Sequence, residues 1–107
     1  MHFLLVASSE TSPTLDSALG VAAAAARRGH EVTVFFYMGG VHLLKASRAL
    51  SRLTDPSMRG VRLLACRTSA KERGIDSEAG LPERTEMSSL SELVELLDRC
   101  DRALFLG

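Results

Sequence analysis

Four short apolar runs recur along the chain, at His2–Ala7 (HFLLVA), 31–37 (EVTVFFY), 61–65 (VRLLA) and Arg102–Leu106 (RALFL). Each is long enough for a strand and none is much longer. In His2–Ala7 and 61–65 the continuous apolar run leaves no face for water, which suits a strand buried on both sides of a parallel sheet. The run 31–37 reads as a β-branched and aromatic strand, and Arg102–Leu106 as the strand that closes the sheet. Between the runs the spacing turns helical. Ser12-Pro13 reads as a helix start, with Leu15, Ala18, Leu19, Ala22, Ala23 and Ala26 on one face and Gly29 as the stop. A second helix is predicted over 41–53 through Leu43, Ala46, Leu50 and Leu53, with Asp55-Pro56 breaking it. Ser89-x-x-Glu92 reads as a capping box, and Leu90, Leu93, Val94 and Leu97 mark the expected buried stripe of a last helix ending near Arg99. The polar stretch 76–87 is expected to be a loop with a short edge strand over 85–87.

Strands alternating with helices through short connections imply right-handed crossovers and helices on both faces. The expected fold is therefore α/β: a three-layer α/β/α domain spanning residues 1–107, with a mostly parallel sheet of four or five strands. A chain of 107 residues supports one core. With one Tyr, four Phe and no Trp, that core must be aliphatic.

Gly60 to Ile75 carries the chemistry. After the strand over 61–65, Ser69-x-x-Glu72 reads as a second capping box and Gly74 as the stop of a short helix. Cys66 thus falls where a strand hands over to a helix. In parallel α/β sheets reactive groups gather outside the carboxyl ends of the strands, and the unpaired N–H groups of a helix start favour an anion, for a cysteine the thiolate. Arg67 and Lys71 add positive charge nearby. The carboxyl edge also carries Ser8-Ser9-Glu10-Thr11 and Met38-Gly39-Gly40, and Cys66 is the strong nucleophile among these residues. The competing reading is that Cys66 is a small apolar packer, the commonest role of a free cysteine.

Other chemistries fare worse. Thirteen basic and thirteen acidic residues cancel, so no basic excess holds nucleic acid, and a neutral surface suits self-association. His2, His30 and His42 make no spaced ligand set with Cys66 or Cys100, and no metal is expected. The loop 8–12 lacks the glycines of a phosphate cradle and carries Glu10, so no nucleotide or flavin cofactor is expected. Cys100 continues the spacing of Leu93 and Leu97 toward the core, which favours packing over a role as resolving thiol to Cys66. His42, after the glycine turn, is a candidate proton carrier or partner contact set against an exposed histidine with no role. The apolar run 3–7 is too short to span a membrane and follows no charged leader, and a cytoplasmic location is expected; two cysteines are too few for a disulfide scaffold.

Taken in order, several phrases resemble the DsrE/DsrF-like (TusD-like) sulfur-relay family: the FLLVA strand, Gly29-His30-Glu31-Val32-Thr33-Val34-Phe35-Phe36-Tyr37, Gly40-Val41, Gly60-Val61, the spacing from Cys66 to Arg73-Gly74-Ile75, Ser89-Leu90, and Cys100-Asp101-Arg102 before a terminal strand. The resemblance covers essentially the whole chain. It implies a sulfur carrier or sulfurtransferase in which Cys66 holds sulfane sulfur as a persulfide, with Arg67, Thr68, Ser69 and His42 as supporting candidates. It further implies sulfur-donor and sulfur-acceptor proteins of TusA-like or rhodanese-like type as partners, and a homotrimer or homohexamer. The alternative within the same family is a non-catalytic oligomeric binding or assembly subunit with Cys66 in the core.

Overall fold

The computed structural model describes residues 1–9, 11–45, 56–75, 81 and 85–106. Five strands, β1 (His2–Ala7), β2 (Glu31–Phe36), β3 (Val61–Cys66), β4 (Thr85–Ser88) and β5 (Arg102–Leu106), form one parallel sheet in the order β4-β3-β2-β1-β5. The helices are α1 (Ser12–Arg27), α2 (Arg67–Glu72) and α3 (Leu90–Arg99), with 3-10 helices at Met38–Lys45 and Pro56–Met58. The expected α/β sheet is present, with five strands and every pairing parallel.

The strand order explains the layers. From β1 to β4 each connection steps to the neighbouring strand in one direction, whereas β4 to β5 returns across the whole sheet. Right-handed crossovers that step in opposite directions lie on opposite faces. Accordingly Leu15, Leu19 and Ala22 of α1, with Val41, Leu43, Leu44 and Met58 of the 3-10 helices, pack on Leu5, Ala7, Val32, Val34, Phe36, Leu63 and Ala65. The alternate strand residues, Leu4, Val6, Phe35, Leu64 and Cys66, pack on Leu96 of α3, with Tyr37, Leu93 and Cys100 against them. Alternation of side chains along each strand divides the residues between the two faces, and both faces are buried at the sheet centre, which is why the central strands read as continuous apolar runs.

α3 has ten residues, about 15 Å of helix at the usual rise, and it is the helix on its face among the described residues. It buries Leu96 and leaves Leu90, Val94 and Leu97 exposed. The expected stripe of Leu90, Leu93, Val94 and Leu97 is therefore corrected: only Leu93 of these four packs partly on the core, and Leu96 takes the inner position. Ser89 does cap this helix, its Oγ accepting from the Glu92 N–H at 3.1 Å.

Three other boundaries differ from expectation. α1 is preceded by Thr11 as N-cap, with Ser12 already helical and Pro13 in the first turn. The described part of the segment expected to be helical over 41–53 is a 3-10 helix that begins at Met38, and residues 46–55 of that expectation lie outside the described residues. α2 begins at Arg67, directly after β3, so Ser69 lies within it and does not cap it. Gly74, at φ +82°, ends it in the left-handed conformation that glycine adopts without a side-chain clash. No helix among the described residues is long and apolar enough to cross a membrane.

Candidate functional site

Cys66 is the last residue of β3 and the N-cap of α2, with extended backbone (φ −63°, ψ 120°) and no side-chain cap hydrogen bond. Its position in the β3 alternation puts it on the α3 face, where it is 1% exposed among Leu4, Val6, Phe35, Leu64 and Leu96. The thiol is free. It therefore stands at the carboxyl edge of the sheet, the position expected from the sequence, and at the same time within an apolar cluster.

The edge around it is tied down by backbone contacts. Tyr37 N–H donates to the Ala7 carbonyl at 2.9 Å, carrying β2 one residue beyond its ladder. Gly40 then passes so close to the end of β1 that a Cβ there would run into the Ala7 carbonyl. Met38, between them, has a positive φ of 52°, and its N–H donates to Ser69 Oγ at 2.9 Å. Ser69 is 4% exposed. The hydroxyl expected to open α2 is instead spent on binding the turn after β2 to the helix after Cys66. Arg73 Nη1 closes the other end of α2 on the Ser69 carbonyl at 3.2 Å.

On the opposite side of Cys66 lies Ser88, its register partner on β4. Ser88 Oγ donates a hydrogen bond to Oε1 of Glu92, and Arg62 Nη2 of β3 donates to Oε2 at 3.0 Å. The Ser88 hydroxyl is the main cause that holds the Glu92 carboxyl below its ordinary range; burial pushes it up, and Arg62 and Arg99 pull it down further. Glu92 thus makes half of a capping box: its N–H is capped by Ser89, while its carboxylate turns to Ser88 and Arg62. Tyr37 completes the row, packed against the same cluster.

The sequence-derived candidates divide accordingly. Arg67 and Thr68 follow Cys66 directly and are exposed. Ser69 is buried and acts through Met38. His42 is partly buried on a 3-10 helix whose Val41, Leu43 and Leu44 pack on the α1 face, whereas Cys66 packs on the α3 face. Cys100 lies at the other end of the sheet. It precedes Asp101, whose N–H donates to the His2 carbonyl, and Arg102 pairs with Phe3. From that level to Cys66 the strands run roughly 16 Å, well beyond the reach of a disulfide within one chain. Sequence reasoning missed Ser88 as the strand partner of Cys66, Glu92 as the acceptor of the Ser88 hydroxyl and Tyr37 as part of the same cluster; alternation carried the signal for Tyr37, but the Cys66–Ser88 pairing needed the sheet order. Among the described residues no group of three His, Cys, Asp or Glu side chains is placed to hold a metal ion.

A parallel α/β sheet in this order, with a cysteine closing its third strand, defines a class of small sheet proteins whose candidate nucleophile sits on a strand end. The chain belongs to the DsrE/DsrF-like family, whose profile matches residues 1–106 and whose members are generally sulfur-relay proteins. Among solved structures, the ychN protein from E. coli is similar over 99% of both chains, with 22% identity and a TM-score of 0.81. A conserved protein of unknown function from Bacteroides thetaiotaomicron matches 98% of this chain and 94% of its own, with 15% identity and a TM-score of 0.77. At these identities the likeness is one of fold. No curated protein matches the chain.

Proposed function

We propose that this protein is a sulfur carrier that holds sulfane sulfur as a persulfide on Cys66 and passes it between thiol proteins. The observation that carries the reading is the place of Cys66, at the carboxyl end of β3 and the N-cap of α2, in a chain of a sulfur-relay family. In the loading step the Cys66 sulfur attacks the outer sulfur of a donor persulfide, R–S–SH. The new Cys66 S–S bond forms as the donor S–S bond breaks, the donor leaves as a thiol with the proton Cys66 gives up, and no oxidant is consumed. Unloading to an acceptor thiol is the same exchange in reverse. With the thiol 1% exposed, exchange requires a local opening of the residues over it, which docking of a donor or acceptor protein would supply. The proposal extends to donors and acceptors of TusA-like or rhodanese-like type, to a cytoplasmic relay, and to a homotrimer or homohexamer.

A second reading draws on one observation. Burial of Cys66 among Leu4, Val6, Phe35, Leu64 and Leu96 is what a packing residue shows, and it favours a non-catalytic oligomeric subunit. Intact-mass spectrometry after incubation with polysulfide separates the two. Addition of sulfur to the native chain and to Cys66, reversed by reductant, retained in Cys100→Ser and absent in Cys66→Ser, supports the carrier. No addition under conditions that load a control carrier, or equal addition in Cys66→Ser, overturns it.

A further inference from the structure

Ser88 and Cys66 are partners in the parallel β3–β4 ladder, so their side chains stand side by side on the α3 face. Ser88 is 4% exposed there. Its hydroxyl has a single proton, and that proton is given to Oε1 of Glu92, a carboxylate that can only accept. Toward its other neighbours the hydroxyl then presents oxygen, the negative end of the O–H dipole. Glu92 is fixed in this role by the Arg62 guanidinium at 3.0 Å and by the Ser89 cap on its own N–H at 3.1 Å.

We propose that Ser88, with its proton committed to Glu92, is a positioning residue that keeps the Cys66 sulfur unreactive until Glu92 is displaced. An oxygen beside a buried sulfur opposes negative charge on that sulfur, whereas the same hydroxyl turned around would donate a hydrogen bond to it. The switch is the direction of one proton, and it is set by a carboxylate on α3, a different element from the one that carries the thiol. Displacing Glu92 returns the proton to the sulfur side. Ser88 then donates to Cys66 as it gives up its own proton in the exchange, and the proton count of the loading step is unchanged. The inference rests on the carrier reading and adds its regulation. The other charged and titratable groups near the pair are Arg62 on β3, Glu86 on β4, Arg99 on α3, Tyr37 after β2, and the exposed Arg67 and Lys71 on α2.

The test is the rate of Cys66 alkylation by iodoacetamide across pH, in the full chain carrying Cys100→Ser so that one thiol reports. In Glu92→Gln the amide can donate to the Ser88 oxygen and free its proton for the sulfur. Alkylation at neutral pH is expected to rise several-fold, with the profile displaced toward lower pH. Ser88→Ala is expected to abolish that gain when combined with Glu92→Gln, and Ser88→Thr to keep the parent profile. Arg62→Gln loosens the hold on α3 without redirecting the Ser88 proton, so an equal gain there would assign the effect to opening and overturn the proposal. A gain in Glu92→Gln that persists without the Ser88 hydroxyl, or an unchanged profile, also overturns it. If Ser88→Ala fails to fold, the comparison of Glu92→Gln with Arg62→Gln still decides. Polysulfide loading of the same variants is read separately: failure of every variant to load would remove the carrier reading while the alkylation profiles still judge the Ser88–Glu92 pair.

Discussion

Glu92 takes the Ser88 hydroxyl on one carboxylate oxygen and the Arg62 guanidinium on the other, 3.0 Å away, and these contacts hold its carboxyl below the ordinary value of 4.5. A carboxyl lowered in the folded state stabilises the fold fully above its unfolded value, and that contribution is lost as pH falls through the folded value. The stability gap between the native chain and Glu92→Gln, measured by urea unfolding, is therefore expected to be constant above about pH 5 and to shrink progressively below the ordinary glutamate range. A gap that widens on acidification would contradict the assignment. At the opposite end of the row, Ser69→Ala removes the acceptor of the Met38 N–H at a half-buried contact, a loss of about 0.5–1.5 kcal/mol in the same assay. Gly40→Ala must push the turn off the Ala7 carbonyl and is expected to cost about 1–3 kcal/mol as overpacking does. Neither change touches the Cys66 side chain, so both separate the stability of the carboxyl edge from the reactivity of the thiol.

The strands were legible because a continuous apolar run admits few other structures: His2–Ala7 and Arg102–Leu106 fall where the pattern put them, and Thr85–Ser88 adds one residue to the expected edge strand. The helix starts were legible only where a cap is local. Ser89 caps α3 as its spacing indicates, and Ser89→Ala is expected to cost about 1 kcal/mol in urea unfolding, against a few tenths for Ser89→Gly. Ser69 has the same spacing to an acidic residue, yet it sits inside α2 because its hydroxyl meets the Met38 N–H, 31 residues away in sequence. A capping box is a local pattern, and a tertiary acceptor can claim the same side chain. The place of Cys66 at the strand end was readable from β3 itself. Its surroundings were not, because Ser88 stands beside it through a strand pairing and Glu92 reaches Ser88 from a helix that crosses the sheet.

At the scale of the whole molecule, the strand order leaves one face thinly covered among the described residues. Three connections step from β1 to β4, while the return to β5 brings one helix of ten residues to the other face. The inner side of that helix is occupied by Leu96 and in part by Leu93, so Leu90, Val94 and Leu97 are left exposed. Val94 is 65% exposed and Phe105, on the same face of β5, is 63% exposed. Leu104, on the other face of β5, and Leu90 and Leu97 on α3 are exposed as well. Large apolar residues gathered on one edge strand and one helix mark an interaction surface more often than a free one. A chain with balanced charge has little electrostatic repulsion to oppose self-association. The proposed homo-oligomer accounts for this surface if β5 and α3 form its contact. Light scattering during size-exclusion chromatography is then expected to give a mass that is a multiple of the 11.5 kDa chain. Val94→Glu combined with Phe105→Glu should reduce it to one chain with an unchanged circular dichroism spectrum, because neither side chain contributes to the buried clusters. A native protein that elutes as a single chain would remove the oligomer from the proposal. A double variant that stays assembled would move the contact to another face.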